Sequence, residues 1–240
     1  MEGLLLVDKP AGWTSFDVVN YVRRIVAGVE GKKPKNVKVG HTGTLDPAAT
    51  GLLVLLVGKN YTRRAGELTK ATKTYQVEMT LGQVSTTADS EGEITQQNDV
   101  KPEEAAVRTA IEKFTGDLMQ VPPIFSAIKI DGRRAYDMAR KGQDVTLEPR
   151  PVTIYRSEFA AYEYPVVRFA SQVSSGTYIR SLVVDLGEEL GTGAYMSALR
   201  RTHVAQYAIE DSVTPDVLTP ELLAERLLKL PDVTSDSVAR

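Results

Sequence analysis

Apolar and polar positions along the chain follow two periods. Gly3 to Val7 is a short apolar run ended by Lys9-Pro10 and Gly12, which predicts a buried strand and then a turn. Beyond it, Val18, Val22, Ile25 and Val26 recur at the helical interval, with Thr14 or Ser15 as N-cap. Residues 28–38 form a Gly/Lys/Pro loop, and Leu52 to Val57 is a continuous apolar run of strand length. Tyr75, Val77, Met79 and Leu81 alternate with polar residues over 74–82, the pattern of a half-buried strand. Residues 85–92 read as a turn region. Pro102 to Thr115 predicts a helix with Ala106, Ala110, Ile111 and Phe114 on one face. Residues 120–148 mix Pro122-Pro123 and basic residues with a helical piece near Ala135–Arg140. Strands follow over 151–160 and 165–174, then an amphipathic helix from Leu182 to Leu190 stopped by Gly191. A strand from Leu199 to Ala208 precedes a last helix, Thr219 to Leu230, with Thr219 as N-cap and Pro220 at its first position. Strands outnumber crossover helices, and several follow one another too closely for a parallel connection. The fold class is therefore α+β with a mixed sheet.

Composition narrows the chemistry. The 240 residues contain no cysteine and only two histidines, His41 and His203. Thiol nucleophiles, disulfide scaffolds and Cys- or His-rich metal centres drop out together. No apolar run reaches membrane-spanning length, and Glu2 ahead of a short apolar stretch does not suit a secretory signal. The reading is a cytoplasmic protein. A net charge of −2 hides a strong segregation. Residues 9–73 carry 12 Lys/Arg against 4 Asp/Glu, whereas residues 74–120 carry 3 against 9. Lys32, Lys33, Lys35 and Lys38 form the densest basic cluster. A basic face on a near-neutral chain suits a polyanion, and a solvated lysine loop suits the same charges.

Known signatures mostly fail. Gly51 and Gly58-Lys59 lack the spacing and the Ser/Thr of a phosphate loop, and Gly191 and Gly193 lack the third glycine of a dinucleotide fingerprint. What remains is Gly40-His41-Thr42-Gly43-Thr44-Leu45-Asp46-Pro47-Ala48-Ala49-Thr50-Gly51, a single carboxylate among small residues that admit a ligand close to the backbone. Asp46 there could be a nucleophile or a general base. Asp46-Pro47 is also how a helix begins, with Asp as cap and Pro next. Arg180, after Ser174-Ser175-Gly176-Thr177-Tyr178-Ile179, suits either a buried ion pair or a surface helix start. Tyr75, in Lys73-Thr74-Tyr75, suits a stacking platform or half-buried core.

These segments together resemble the signature motifs of the pseudouridine synthase B family, whose bacterial members convert the T-arm uridine of tRNA (position 55 in standard tRNA numbering). The match runs over Gly3 to Ser15, Gly40 to Leu53, Lys73 to Gly82, Ser175 to Gly191 and Leu199 to Thr202. Pro122 to Ala127 and Arg134 to Tyr136 resemble the family's RNA-contacting thumb insertion. Thr86 stands where the family often has an acid, and Ala205 where it has glycine. The resemblance implies a largely antiparallel sheet flanked by helices with a thumb-like insertion at 120–148. It implies a catalytic domain over 1–212, with 213–240 a short C-terminal helix and tail in place of a full accessory RNA-binding domain. It implies Asp46 as essential carboxylate, Arg180 as its pairing cation, and Tyr75 stacking on the uracil. It further implies His41 exposing the uridine, and Tyr178 and Leu199 lining the pocket. Lys32, Lys35, Lys129 and Arg134 would hold RNA phosphates. Because the product is an isomer of the substrate, no cofactor and no metal is expected. The partner implied is the T arm of tRNA, with no membrane, and the protein is expected to be a monomer. The competing reading is a non-catalytic tRNA-binding or folding module, which needs the basic face but not Asp46, Tyr75 and Arg180 together. A carboxylate glycosidase needs a second acid that the Gly40–Gly51 segment lacks.

Overall fold

The computed structural model describes residues 1–126, 128–130, 133, 134, 138 and 146–230, with only the backbone of 129, 130, 133 and 134. They form two compact units, residues 1–69 with 204–230 and residues 70–203.

The first unit opens with β1 (Gly3–Lys9), followed by α1 (Ser15–Val29). Thr14 caps α1: its hydroxyl accepts from the Asp17 N–H while Asp17 returns a bond to the Thr14 N–H, a reciprocal capping box. Ser15 is thereby left free for another task. β2 (Val39–His41) and β3 (Thr50–Val57) follow, with β3 between β1 and β2 and antiparallel to both. Leu53, Leu55 and Val57 face Leu5, Val7 and the α1 stripe of Val18, Val19, Val22 and Val26. Leu52, Val54 and Leu56, on the opposite side of β3, are equally buried. Burial on both faces explains why this strand reads as an unbroken apolar run. Two short helices, α2 (Lys59–Thr62) and α3 (Ala65–Thr69), end this part.

The second unit is built on a sheet in the order β12-β4-β11-β10-β7. Its elements are β4 (Lys73–Leu81), the hairpin β5 (Gln83–Ser85) and β6 (Ile94–Gln96), α4 (Glu104–Lys113), β7 (Gly116–Gln120) and the small hairpin β8 (Lys129–Ile130) and β9 (Arg133–Arg134). Then come β10 (Arg150–Glu163), β11 (Val166–Val173), α5 (Ile179–Glu189) and β12 (Ala194–Val204). The β4–β11, β11–β10 and β10–β7 pairings are all antiparallel. The α+β class and the largely antiparallel sheet are those expected from the sequence. The helical piece expected near 135–140 lies outside the described residues.

The chain then returns to the first unit through β13 (Tyr207–Ala208) and α6 (Pro220–Arg226). Thr219 caps α6 by accepting from Leu222 N–H. The helix is shorter than the expected span to Leu230. After Arg226 the backbone extends, and Leu228 exchanges both of its hydrogen bonds with Leu4 at 2.8 Å. Val213 pairs with the same strand in parallel, receiving from Asp8 N–H and giving to Leu6 C=O. The edge of β1 away from β3 is thus covered by the C-terminal residues. Leu223 of α6 is fully buried in the core of this unit. Leu223→Ala is expected to lower the unfolding free energy by about 2–5 kcal/mol, the usual cost of a buried leucine truncation. A shift of the urea midpoint at unchanged slope is the measurement that checks it.

Candidate active site

Asp46 lies in the irregular segment between β2 and β3 and heads no helix: Ala49 N–H reaches Asp46 C=O at 3.1 Å and the turn goes no further. The cap reading of Asp46-Pro47 therefore fails, because the chain re-enters a strand at Thr50. Both neighbours of Asp46 are pinned. The buried Ser15 hydroxyl accepts from Leu45 N–H at 2.8 Å and donates to Leu45 C=O at 3.0 Å. Pro47 C=O accepts from Gly12 N–H at 2.9 Å and from Lys9 Nζ at 3.2 Å. Lys9 Nζ also donates to Pro10 C=O at 2.9 Å and Trp13 C=O at 2.6 Å, and the side chain is wholly buried. Gly12 turns at φ 80°, a conformation that suits glycine. The N-terminal Lys9-Pro10…Gly12…Thr14-Ser15 pattern is thus the clamp for a loop more than thirty residues later. Asp46 itself is half-buried, so it stays reachable between two residues whose backbones are fixed. His41, at the end of β2, accepts from Gly43 N–H through Nδ1 at 3.3 Å.

In the second unit Arg180 sits in the first turn of α5 and is buried. The surface helix-start reading fails for that reason. Its guanidinium donates to Phe125 C=O at 3.0 Å and Thr87 C=O at 3.3 Å, and lies 3.4 Å from the buried Asp89 carboxylate. Asp89 is fixed in turn by the Thr87 hydroxyl at 2.5 Å and the Glu91 N–H at 3.0 Å. Gly92 packs so closely on the Ser85, Thr86 and Thr87 hydroxyls that a Cβ there would lie 2.5–2.7 Å from them. Sequence reasoning had no role for Asp89; its signal was its place in the Thr86-Thr87-Ala88-Asp89 turn. Tyr178, at the N-cap of α5, is gripped by the amide of the buried Gln120, which accepts from Tyr178 N–H at 2.8 Å and donates to its C=O at 3.1 Å. Ser181 donates to Val121 C=O at 2.7 Å. The start of the 120–148 insertion is therefore bonded to the start of α5 at three points.

Tyr75 is buried on β4, opposite Ser171 of β11, and Leu199 is half-buried on β12. Lys73, at the head of β4, is buried. Burial, helped by the nearby charge of the buried Arg201, pushes its ammonium down to about 8. Lys32 and Lys35 are exposed, Lys32 pairing with Glu30 at 2.8 Å. Lys129 and Arg134 lie on the paired backbones of β8 and β9; their side chains lie outside the described residues.

The sequence also matches known proteins. Residues 31–179 fit the model of the TruB family pseudouridylate synthase N-terminal domain, and residues 180–229 that of the tRNA pseudouridylate synthase B C-terminal domain. The chain belongs to the TruB family of pseudouridylate synthases. This TruB-family chain is 42% identical to the tRNA pseudouridine synthase B of Burkholderia mallei (strain NCTC 10247) over 97% of its own length and 74% of the relative's. It is 44% identical to that of Arthrobacter sp. (strain FB24) over 92% of its length and 72% of that relative's. Among solved structures it resembles a chain of a Cbf5-Nop10-Gar1 complex, at TM-score 0.67 and 30% identity, covering 88% of this chain and 52% of that one. It therefore spans about half the length of that solved chain. No helix of the described residues is long and apolar enough to cross a membrane.

Lys73 gives this TruB-family chain a pH signature. Between about pH 8 and the ordinary lysine value of 10.5, the unfolded chain holds a proton that the folded chain has released. This group's contribution therefore makes stability climb with pH across that window, and below pH 8 its penalty is constant. Lys73→Met is expected to remove the climb, which paired urea titrations of the two proteins at pH 7.5, 9 and 10 would read.

Proposed function

We propose that the chain isomerises a uridine in the T arm of tRNA, at position 55, to pseudouridine. The observation that carries this reading is the Asp46 loop: a reachable carboxylate whose two flanking residues are fixed by Ser15, Lys9 and Gly12, in a chain of this family. The reaction breaks the bond from C1′ to N1 and makes one from C1′ to C5; N1 takes up a proton and C5 loses one. Atoms and electrons balance within the substrate. The target base has to leave its stack, at a cost of a few kcal/mol offset by stacking and hydrogen bonds in the pocket. In this reading Asp46 is the essential carboxylate and Arg180 its pairing cation. Tyr75 stacks on the uracil, His41 helps expose the base, and Tyr178 and Leu199 shape the pocket. Lys32, Lys35, Lys129 and Arg134 meet phosphates. The protein works as a monomer in the cytoplasm.

Asp46→Asn preserves size and polarity while removing the charge. It is expected to keep the melting temperature and tRNA affinity of the parent and to form no product in a carbodiimide–primer-extension assay on an unmodified transcript. Measurable turnover by the Asn protein would refute the role given to Asp46.

The same proposal places recognition in the T arm. Each phosphate neutralised contributes about −0.9 to the log–log salt slope on duplex nucleic acid. A T-arm stem-loop is expected to bind with nearly the slope of full-length tRNA and to react at a similar rate. A much steeper slope for the whole tRNA, or an inert stem-loop, would show that other parts of the tRNA are needed.

A further inference from the structure

We propose that Phe16, with the Arg23 guanidinium held above it, is a stacking platform for an unpaired nucleobase of the RNA substrate, separate from the pocket of the reacting uridine. The proposal rests on the reading of an RNA substrate given above.

Phe16 is 58% exposed, and a single exposed phenylalanine is ordinary. Its setting is not. The three aromatic residues in and just before α1 are Trp13, Phe16 and Tyr21. Trp13 and Tyr21 spend their faces on each other, edge to face with centroids 5.8 Å apart, and pack against the core. Phe16 instead lies beside the buried stripe, in a row with Asn20 and Arg23 one and two turns along. The Arg23 guanidinium carbon sits 5.7 Å from the Phe16 ring centre. Two bonds fix it there: Nη1 donates to Asn20 Oδ1 at 2.7 Å, and Nη2 to Val39 C=O on β2 at 3.2 Å. Both acceptors are neutral, and no carboxylate pairs with Arg23 among the described residues, so its positive charge is uncompensated. A ring and a cation fixed against each other, with more than half of the phenylalanine exposed, are what an unstacked base needs.

Location selects the occupant. Phe16 directly follows Ser15, whose hydroxyl grips Leu45, and Asp46 directly follows Leu45. Val39, which anchors Arg23, is two residues before His41 on the same strand. Beyond α1 the exposed Lys33, Lys35 and Lys38 form no ion pair among the described residues, so the surrounding charge favours a polyanion. A base displaced from the RNA close to the reacting uridine fits this ring; an apolar peptide would gain nothing from the uncompensated cations.

The test uses the whole protein and unmodified tRNA transcripts carrying one abasic nucleotide at a time, with Kd measured at fixed salt for wild type, Phe16→Ala and Phe16→Tyr. Phe16→Ala is expected to bind the intact transcript about five- to twenty-fold more weakly at an unchanged melting temperature, and Phe16→Tyr to bind like wild type. One abasic position should weaken wild type by a similar factor and leave Phe16→Ala unaffected, because the same stack cannot be lost twice. Binding of Phe16→Ala within twofold of wild type, or a loss that no abasic position masks, overturns the proposal. Product formation by wild type on the intact transcript is scored separately. A protein that binds but makes no pseudouridine refutes the proposed activity and leaves the platform measurable, and one that binds no RNA refutes both.

Discussion

A buried ammonium bonded to three backbone carbonyls sets the geometry on which the first unit's loops depend. Taking a lysine charge out of water is expensive, and Lys9 is tolerated because charge-assisted hydrogen bonds to Pro10, Trp13 and Pro47 replace its hydration. The same three bonds join the turn after β1 to the loop before β3. Gly12 and Ser15 add neutral bonds on either side of Asp46. The irregular backbone on either side of Asp46 thereby acquires the fixed position of a strand.

The second unit solves a similar problem with a different donor set. Arg180 is a buried cation whose partners include the Asp89 carboxylate and two carbonyls, and Asp89 is itself fixed by a hydroxyl and an N–H. Both units also use one neutral side chain to satisfy the N–H and C=O of a single backbone residue just ahead of a charged one: Ser15 on Leu45 before Asp46, and Gln120 on Tyr178 before Arg180. A neutral clamp fixes the backbone without adding a charge that would compete for the site.

Elements whose burial is set locally were legible in the sequence. The apolar run of β3, the alternation of β4 and the stripe of α1 each carry their own period, and the Thr219-Pro220 start of α6 carries its own cap. Asp46 and Lys9 were legible only as members of motifs. Their partners lie 38 residues apart for the Lys9–Pro47 bond and 30 for the Ser15–Leu45 clamp, and no local propensity records such a pairing. The alternative of Asp46 as a helix cap had the right residue types, and it lost to the strand that begins at Thr50. The early end of α6 was hidden for the same reason: the bonds of Leu228 go to Leu4, at the other end of the sequence. Asp89 was hidden because a polar turn and a buried counter-ion are written with the same residues.

The closure of β1 by Val213 and Leu228 also constrains biosynthesis. β1 leaves the ribosome well ahead of its partners, because one of its edges is paired more than two hundred residues later. Residues 70–203 are contiguous and can acquire their contacts while translation continues. The first unit cannot be completed until α6 and Leu228 have emerged, so its assembly carries the large loop-closure entropy of distant pairing. Until then the N-terminal strand exposes an unsatisfied edge, a period of vulnerability to aggregation whose length is set by the rate of translation.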